Sequence, residues 1–375
     1  MRRGTAAAAG LALMLGVVTA TSAEAAAKPK PKLKAPGVAA SAAEVGGMAA
    51  LIKAAKKEGQ LNVIALPHDW ANYGELLSTF SKKYGIKLNE ANPNGSSADE
   101  LNAVSSLKGQ SRQPDVVDVG LQFAVQGAES GLFAPYKVAT WKDIPAAAKD
   151  PAGRWFSDYG GYIAIGYNAA LVKTPPKSLK DLLNPMYKNQ VALNGDPTQA
   201  GAAFAGVFAS SIANGGSVNN IQPGIDFFSK LKAEGNYIPV QATPATVQTG
   251  QTPITIDWDY LQSAYSSQGQ VDWKVVVPSD ALYGGFYAQA IVKNSPHPAA
   301  ARLWEEFLYS NIGQNLWLKG GARPIRLAAM QKAGTANKTY LAKLPAVPAN
   351  VKPVFPSLTQ ILLAKVTLAQ NWSKI

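Results

Sequence analysis

The segment Asp257-Trp258-Asp259-Tyr260 interleaves two carboxylates with two aromatic rings, directly after a short apolar run. An acid beside an aromatic ring suits an ammonium group, through Coulomb attraction and a cation–π contact. The same pair of acids suggests acid–base chemistry. Neighbours on a strand point to opposite faces, however, and residues two apart need not converge once a turn begins. Structural roles compete: Asp259 fits a helix cap and Trp258 a core residue. The chain has no cysteine and only two histidines, His68 and His297. A Cys nucleophile is therefore impossible, and a zinc site of Cys and His is effectively excluded. A Ser-His-Asp triad would need one of those two histidines. No metal site and no cofactor is expected.

Other candidates for ligand contact lie where strands end. Asp69, Trp70 and Asn72 occupy the first such loop, Ser96 and Ser97 the second, and Gln122 and Phe123 follow Gly120. Thr198 and Gln199 lie at a helix start, and Tyr283 and Phe286 beside a glycine pair. A helix N-terminus suits an anionic group, so the Ser96 and Thr198 regions are expected to favour one. Asn72, Ser96 and Ser97 fit turn and capping roles equally well. Arg323 has the geometry for a bidentate carboxylate or phosphonate contact, although a structural arginine is the simpler reading. His68 stands beside Asp69 as a further ligand-contact candidate, and His297, between Pro296 and Pro298, reads as a helix-entry residue.

The elements that must position these residues alternate between two periods. Val45, Met48, Ile52 and Ala55 recur at helical spacing, as do Tyr73, Leu76, Leu77, Phe80 and Tyr84. Gly59 and Gly85 stand where those helices should stop. Leu61–Leu66, Ile86–Asn92 and Asp115–Val119 read as strands, with helices over Ala98–Ser111 and Phe123–Ser130 between and after them. This succession predicts an α/β fold with a mostly parallel sheet, in which ligands sit at the carboxyl ends of strands. A second alternating region runs from Val191 to Val277. Two β-prone, glycine-flanked stretches, Tyr159–Asn168 and Phe286–Val292, read as strands crossing between lobes. The division expected is 41–165 plus 286–375 for lobe 1 and 166–285 for lobe 2, with C-terminal helices. Glycines beside the crossings could absorb a hinge motion, or could simply end strands.

The N-terminus reads as a targeting segment. Arg2 and Arg3 precede an apolar stretch, and Ala23-Glu24-Ala25 has the small-x-small form of a cleavage site. Residues 1–25 are expected to be a signal peptide and 26–40 a Lys/Pro-rich tether. The formal net charge is +12, and four of the lysines lie in Lys28–Lys34. The export signal and the lack of a recognition motif argue against nucleic acid.

Several short motifs in order resemble one family. They are Glu58-Gly59-Gln-Leu-Asn-Val63, Pro114-Asp115-Val-Val-Asp118, Gly131-Leu-Phe-Ala-Pro-Tyr136, Gly166-Tyr-Asn168, Pro176–Leu183, Pro298–Leu308 and Gly320-Gly-Ala-Arg-Pro-Ile-Arg326. This set resembles the extracellular solute-binding proteins of ABC importers, in the group with iron(III)-, thiamine-, polyamine- and aminoethylphosphonate-binding members. The resemblance implies a two-lobed, type II periplasmic-binding-protein-like fold, one small-molecule ligand in the cleft and no catalysis. It also implies a periplasmic monomer that delivers its ligand to an inner-membrane ABC permease. Iron(III) binders of the group usually carry adjacent tyrosines. Here Tyr159, Tyr162, Tyr167, Tyr283 and Tyr287 are candidates, and no two are adjacent. The residue mix therefore points to an amine-containing solute of the polyamine or aminoalkylphosphonate class. Ferric iron transport, ligand sensing beside a membrane receptor and an exported enzyme are the alternatives.

Overall fold

The alternation of helix and strand read from the sequence is present along the chain. The computed structural model describes Met1, residues 32–268 and residues 271–375. The segment read as a signal peptide, Met1 apart, and the tether up to residue 31 lie outside the described residues. Among the described residues ten strands occur in order: β1 (Gln60–Ile64), β2 (Lys87–Ala91), β3 (Val116–Gly120), β4 (Phe133–Ala134), β5 (Phe156–Asn168), β6 (Val191–Leu193), β7 (Ile254–Trp258), β8 (Trp273–Val276), β9 (Gly284–Val292) and β10 (Arg323–Pro324).

Local chemistry explains the helix ends. Helices Met48–Glu58 and Tyr73–Tyr84 stop at Gly59 and Gly85, whose φ angles of 74° and 68° cost glycine little. The second of these helices buries Tyr73, Leu76, Leu77, Phe80 and Tyr84, the face its spacing predicts. Helix Ser97–Ser106 opens on a capping box between Ser96 and Asp99. Helix Pro298–Leu308 is buried on nearly every side, and its first N–H groups need partners. The Glu58 carboxylate accepts them from Ala299 and Ala300, the latter at 2.7 Å. His297, just before this helix, bonds through Nδ1 to Asp115 at 2.8 Å.

The alternation predicts a mostly parallel sheet, and the structure corrects this to a mixed one. β1 pairs with β2 in parallel, and β6 with β7. The remaining ladders among the described residues are antiparallel. The cause is the pair of long strands. β9 runs between β3 and β5, and β5 in turn borders β7, giving the order β3-β9-β5-β7-β6. A returning strand that inserts beside outgoing ones must run against them, and periodicity carries no information about direction.

β5 joins two pairing regions. Phe156–Tyr162 lies against β9 and β10, and Ile163–Asn168 against β7 and β8. The strand is buried along its length except at Tyr162. Aromatic packing consolidates the core on one side, with Phe80 edge-on to Trp304 at 5.1 Å.

Candidate functional site

A cleft opens at the carboxyl ends of the strands, with a cavity volume of about 90 Å³. Drug-sized pockets span roughly 300–1,000 Å³, so this conformation accommodates a small molecule. One wall comes from the loops after β1 and β2, with Asp69, Trp70, Ser96 and Ser97, and from Glu100 and Asp118. The facing wall comes from Asn194 after β6, the start of helix Gly201–Ala213, the segment Gln241–Pro244, and Tyr265. Tyr287 of β9 lies between the walls.

Carboxylates dominate the charge of this lining. Asp69, Glu100 and Asp118 contribute to it, and no lysine, arginine or histidine does. Asp118 Oδ2 accepts from the hydroxyls of Tyr73 (2.8 Å) and Tyr159 (2.7 Å), and its carboxyl also shares a side-chain hydrogen bond with Asp158. Burial pushes its pKa up to about 6 against the tyrosine hydrogen bonds. Glu100 accepts the Asp118 N–H at 3.0 Å, and burial with the Asp118 charge holds its carboxyl well above the usual range. Behind them, burial and the same charge push Asp158 up, although Gln289 donates to it at 2.9 Å.

The two helix starts at the cleft differ. Ser96 and Asp99 cap the start of helix Ser97–Ser106, and Ser97 Oγ accepts the Gly120 N–H at 3.1 Å, so carboxylate already occupies that end. Helix Gly201–Ala213 has no acid in its first turn, and Gly201 and Ala202 face the cleft. Its free N–H groups suit an anionic or carbonyl group. Trp70 is held in the wall by donating to Tyr159 at 2.6 Å and by an edge contact with Tyr287.

Several residues read as ligand contacts do not line this cleft. Asn72 donates to the Leu316 carbonyl and to Glu75, tying two helices together. Gln122 is buried beside Gly120, and Phe123 belongs to the core under Lys365. Thr198 is held by Asp196 in a tight turn, and Gln199 is bonded to Thr198 on the exposed side. Asp257 is fully buried, and accepts from Asn194 at 2.9 Å and from the Trp258 N–H. It therefore positions Asn194, which does face the cleft. Trp258 stacks on Tyr260 in the core. Asp259 is buried in an ion pair with Arg323. Tyr283 packs on Phe208, and Phe286 stacks on Phe355. His68 points out and pairs with Glu90.

Glu100, Asp118, Asn194, Gln241, Tyr265 and Tyr287 are cleft residues that the strand-end rule did not select. Asn194 follows β6 directly, so the rule would have found it. Asp118 closes one of the motifs noted above. Gln241 follows no strand and carries no sequence signal. Among the described residues, no group of three or more His, Cys, Asp or Glu side chains is close enough to hold a metal ion.

Comparison with known proteins gives this geometry a family. Residues 112–346, more than half of the chain, match the model of the bacterial extracellular solute-binding protein family. The chain is 28% identical over 157 residues to a probable ABC transporter periplasmic-binding protein of Sinorhizobium fredii (strain NBRC 101917 / NGR234). That match spans 40% of this chain and 42% of the relative, so less than half of its length. Solved structures share the fold at low identity. The periplasmic binding protein AfuA of Actinobacillus pleuropneumoniae, with fructose-6-phosphate bound, aligns with a TM-score of 0.67 at 18% identity, over 84% of this chain and 99% of that one. A putative spermidine/putrescine ABC transporter protein of Listeria monocytogenes aligns at 0.63 and 15% identity, over 84% and 99%. Iron-bound HitA of Pseudomonas aeruginosa aligns at 0.59 and 19% identity, over 84% and 98%. The fold is thus the two-lobed, mixed α/β type II periplasmic-binding-protein fold. With a small cleft at its strand ends and most of its length matched by one family model, the chain belongs to the bacterial extracellular solute-binding proteins.

Proposed function

We propose that this protein is the exported capture component of an ABC importer, and that its ligand is a small organic solute carrying an ammonium group. Residues 41–165 with 286–375 form one lobe in this reading, and residues 166–285 the other. A ligand that touches both walls binds the closed form better and shifts the population toward it. An inner-membrane permease then takes the ligand from the closed form, and no chemical step is involved.

The observation that carries the ligand class is the charge of the lining. Asp69, Glu100 and Asp118 face the cleft without a basic side chain among the lining residues. An acidic lining without a basic group attracts an ammonium group, whose N–H donors pair with carboxylate oxygens. The start of helix Gly201–Ala213 on the opposite wall suits the ligand's other end if it is anionic, as in an aminoalkylphosphonate or an amino acid. AfuA, HitA and the Listeria protein differ in what their names say they bind, so likeness of fold does not choose among ligands.

Thermal-shift screening of residues 26–375 tests the reading. The panel holds polyamines, amino acids, aminoalkylphosphonates, sugar phosphates and ferric citrate. A ligand at a hundredfold excess over its Kd stabilises the folded state by about 2.7 kcal/mol. The expected result is a raised Tm with an ammonium compound, lost in Asp118→Asn. A shift with sugar phosphate or ferric citrate and none with amines overturns the ligand class.

A further inference from the structure

The last 29 residues, 347–375, lie beyond the family match, which ends at residue 346. They are not a loose tail. Val354 donates to the Leu282 carbonyl at 2.7 Å and accepts from the Gly284 N–H at 2.9 Å, so the chain lies down beside the start of β9. Phe355 then stacks on Phe286 of β9 and packs on Tyr162 at the middle of β5. β5, which joins the two pairing regions, and its neighbour β9 are thereby covered at one place.

Helix Leu358–Asn371 follows, starting on a capping box at Ser357. Leu358 and Leu362 pack against the core that contains Phe123, Val125 and Ala128. Lys365 donates to Gln126 at 2.9 Å and lies 4.3 Å over the Phe123 ring. These partners belong to helix Leu121–Glu129, in lobe 1. Other groups of the same segment hold lobe 2. Gln360 donates to Asn219 at 2.9 Å, Trp372 packs on Phe228 and Tyr237, and Lys232 donates to the Ile375 carbonyl at 2.7 Å.

We propose that residues 347–375 are a strap across the back of the hinge that fixes how far the lobes open. The inference rests on the two-lobe reading given above. Rotation of one lobe away from the other must slide this helix over at least one set of its partners. Packed surfaces do not deform continuously, so the strap opposes rotation until one set releases. The contacts therefore set the population of the open form, and through it the apparent affinity for any ligand that needs the closed form.

The absence of cysteine makes the test clean, because spin labels attach only where cysteines are introduced. Asn94→Cys and Gln241→Cys place labels on the two walls of the cleft, both at exposed positions. Distance distributions are read by pulsed electron spin resonance on the full chain. Gln360→Ala with Trp372→Ala frees the lobe 2 end, and Lys365→Ala weakens the lobe 1 end. Leu363→Ala, on the exposed face of the helix, is the control. The expected result is a roughly fivefold or greater rise in the long-distance population when either end is freed, and none in the control. Melting curves confirm that each variant remains folded, and the milder Lys365→Ala keeps the test informative if the double variant does not. A broad distribution that is the same in every variant overturns the strap and leaves mobile lobes. A single narrow distance in every variant overturns both the strap and the lobe motion.

Discussion

The hydroxyl of Tyr159 donates to Asp118 Oδ2 at 2.7 Å and accepts the Trp70 indole N–H at 2.6 Å. One buried atom thus joins the acid of the cleft to an aromatic residue of its wall. Tyr159→Phe removes both bonds while leaving the ring in place. Asp118 Oδ2 keeps Tyr73 as a donor, so the main loss is the part-buried Trp70 N–H left short of a partner, which costs about 1–3 kcal/mol. Urea denaturation should therefore show a loss of at least about 1 kcal/mol, and Trp70 emission should shift. A loss below about 0.5 kcal/mol would mean that water replaces the hydroxyl and that Trp70 is not fixed through it.

Asp257 predicts how stability depends on pH. Burial raises its pKa from 3.8 to about 7, against hydrogen bonds from the Trp258 N–H and Asn194. Between those values the folded chain holds a proton that the unfolded chain has released. The contribution of Asp257 is therefore fully present below pH 3.8 and is lost as pH rises toward 7, by up to about 1.4 kcal/mol per pH unit. Asp118 acts in the same direction up to about 6. The depressed pKa of Asp150, paired with Arg154, has the opposite sign, and its loss occurs below the ordinary carboxylate value, outside this window. The protein should melt higher at pH 5 than at pH 8, and Asp257→Asn, which mimics the protonated acid, should shrink that difference. Equal pH profiles for the two proteins would show that Asp257 does not carry the proton.

The same logic links ligand capture to protons. An ammonium group that docks on Asp118 must find it ionised, and the free protein holds a proton there below about pH 6. The Kd for an ammonium ligand should rise about tenfold per pH unit below that value and level off above it. Calorimetry in two buffers of different ionisation enthalpy should report proton release near pH 6. A Kd that is flat from pH 5 to 8 would place the ammonium away from Asp118.

Much of the framework was legible in the sequence, for physical reasons. Gly59 and Gly85 mark helix ends because few residues take positive φ without cost. Tyr159–Asn168 stands out as a long strand because it is aromatic, β-prone and buried on both faces. Asp69, Trp70, Ser96 and Ser97 line the cleft because loops after parallel strands open at that end. Strand direction was not legible, since β9 inserts between β3 and β5 through contacts far apart in sequence. Nor were Glu100 and Asp118, which look like an ordinary helix residue and an ordinary strand residue until the fold sets their faces. The acids Asp257 and Asp259 drew attention as a motif. In the structure Asp257 supports Asn194, and Asp259 pairs with Arg323.

Glycines beside the crossing strands offer the last prediction. The sequence leaves open whether they supply hinge freedom or end strands. At Gly160 neither is needed, because the residue lies inside β5 and its φ is not in the left-handed region. A Cβ there would lie 2.0 Å from the Gly285 carbonyl oxygen and 2.7 Å from the Phe286 ring. Gly160 is thus required for close approach of β5 and β9, where a side chain would push backbone against backbone. Gly160→Ala should cost about 3 kcal/mol or more, at the upper end for overpacking because the blocking atom is main chain. Gly37→Ala, whose Cβ would meet nothing nearer than 3.9 Å, should stay within about 0.5 kcal/mol of the parent. Chemical denaturation of the two variants makes the comparison. A cost below about 1 kcal/mol for Gly160→Ala would mean that the two strands can separate locally, and the required close approach of β5 and β9 would have to be abandoned.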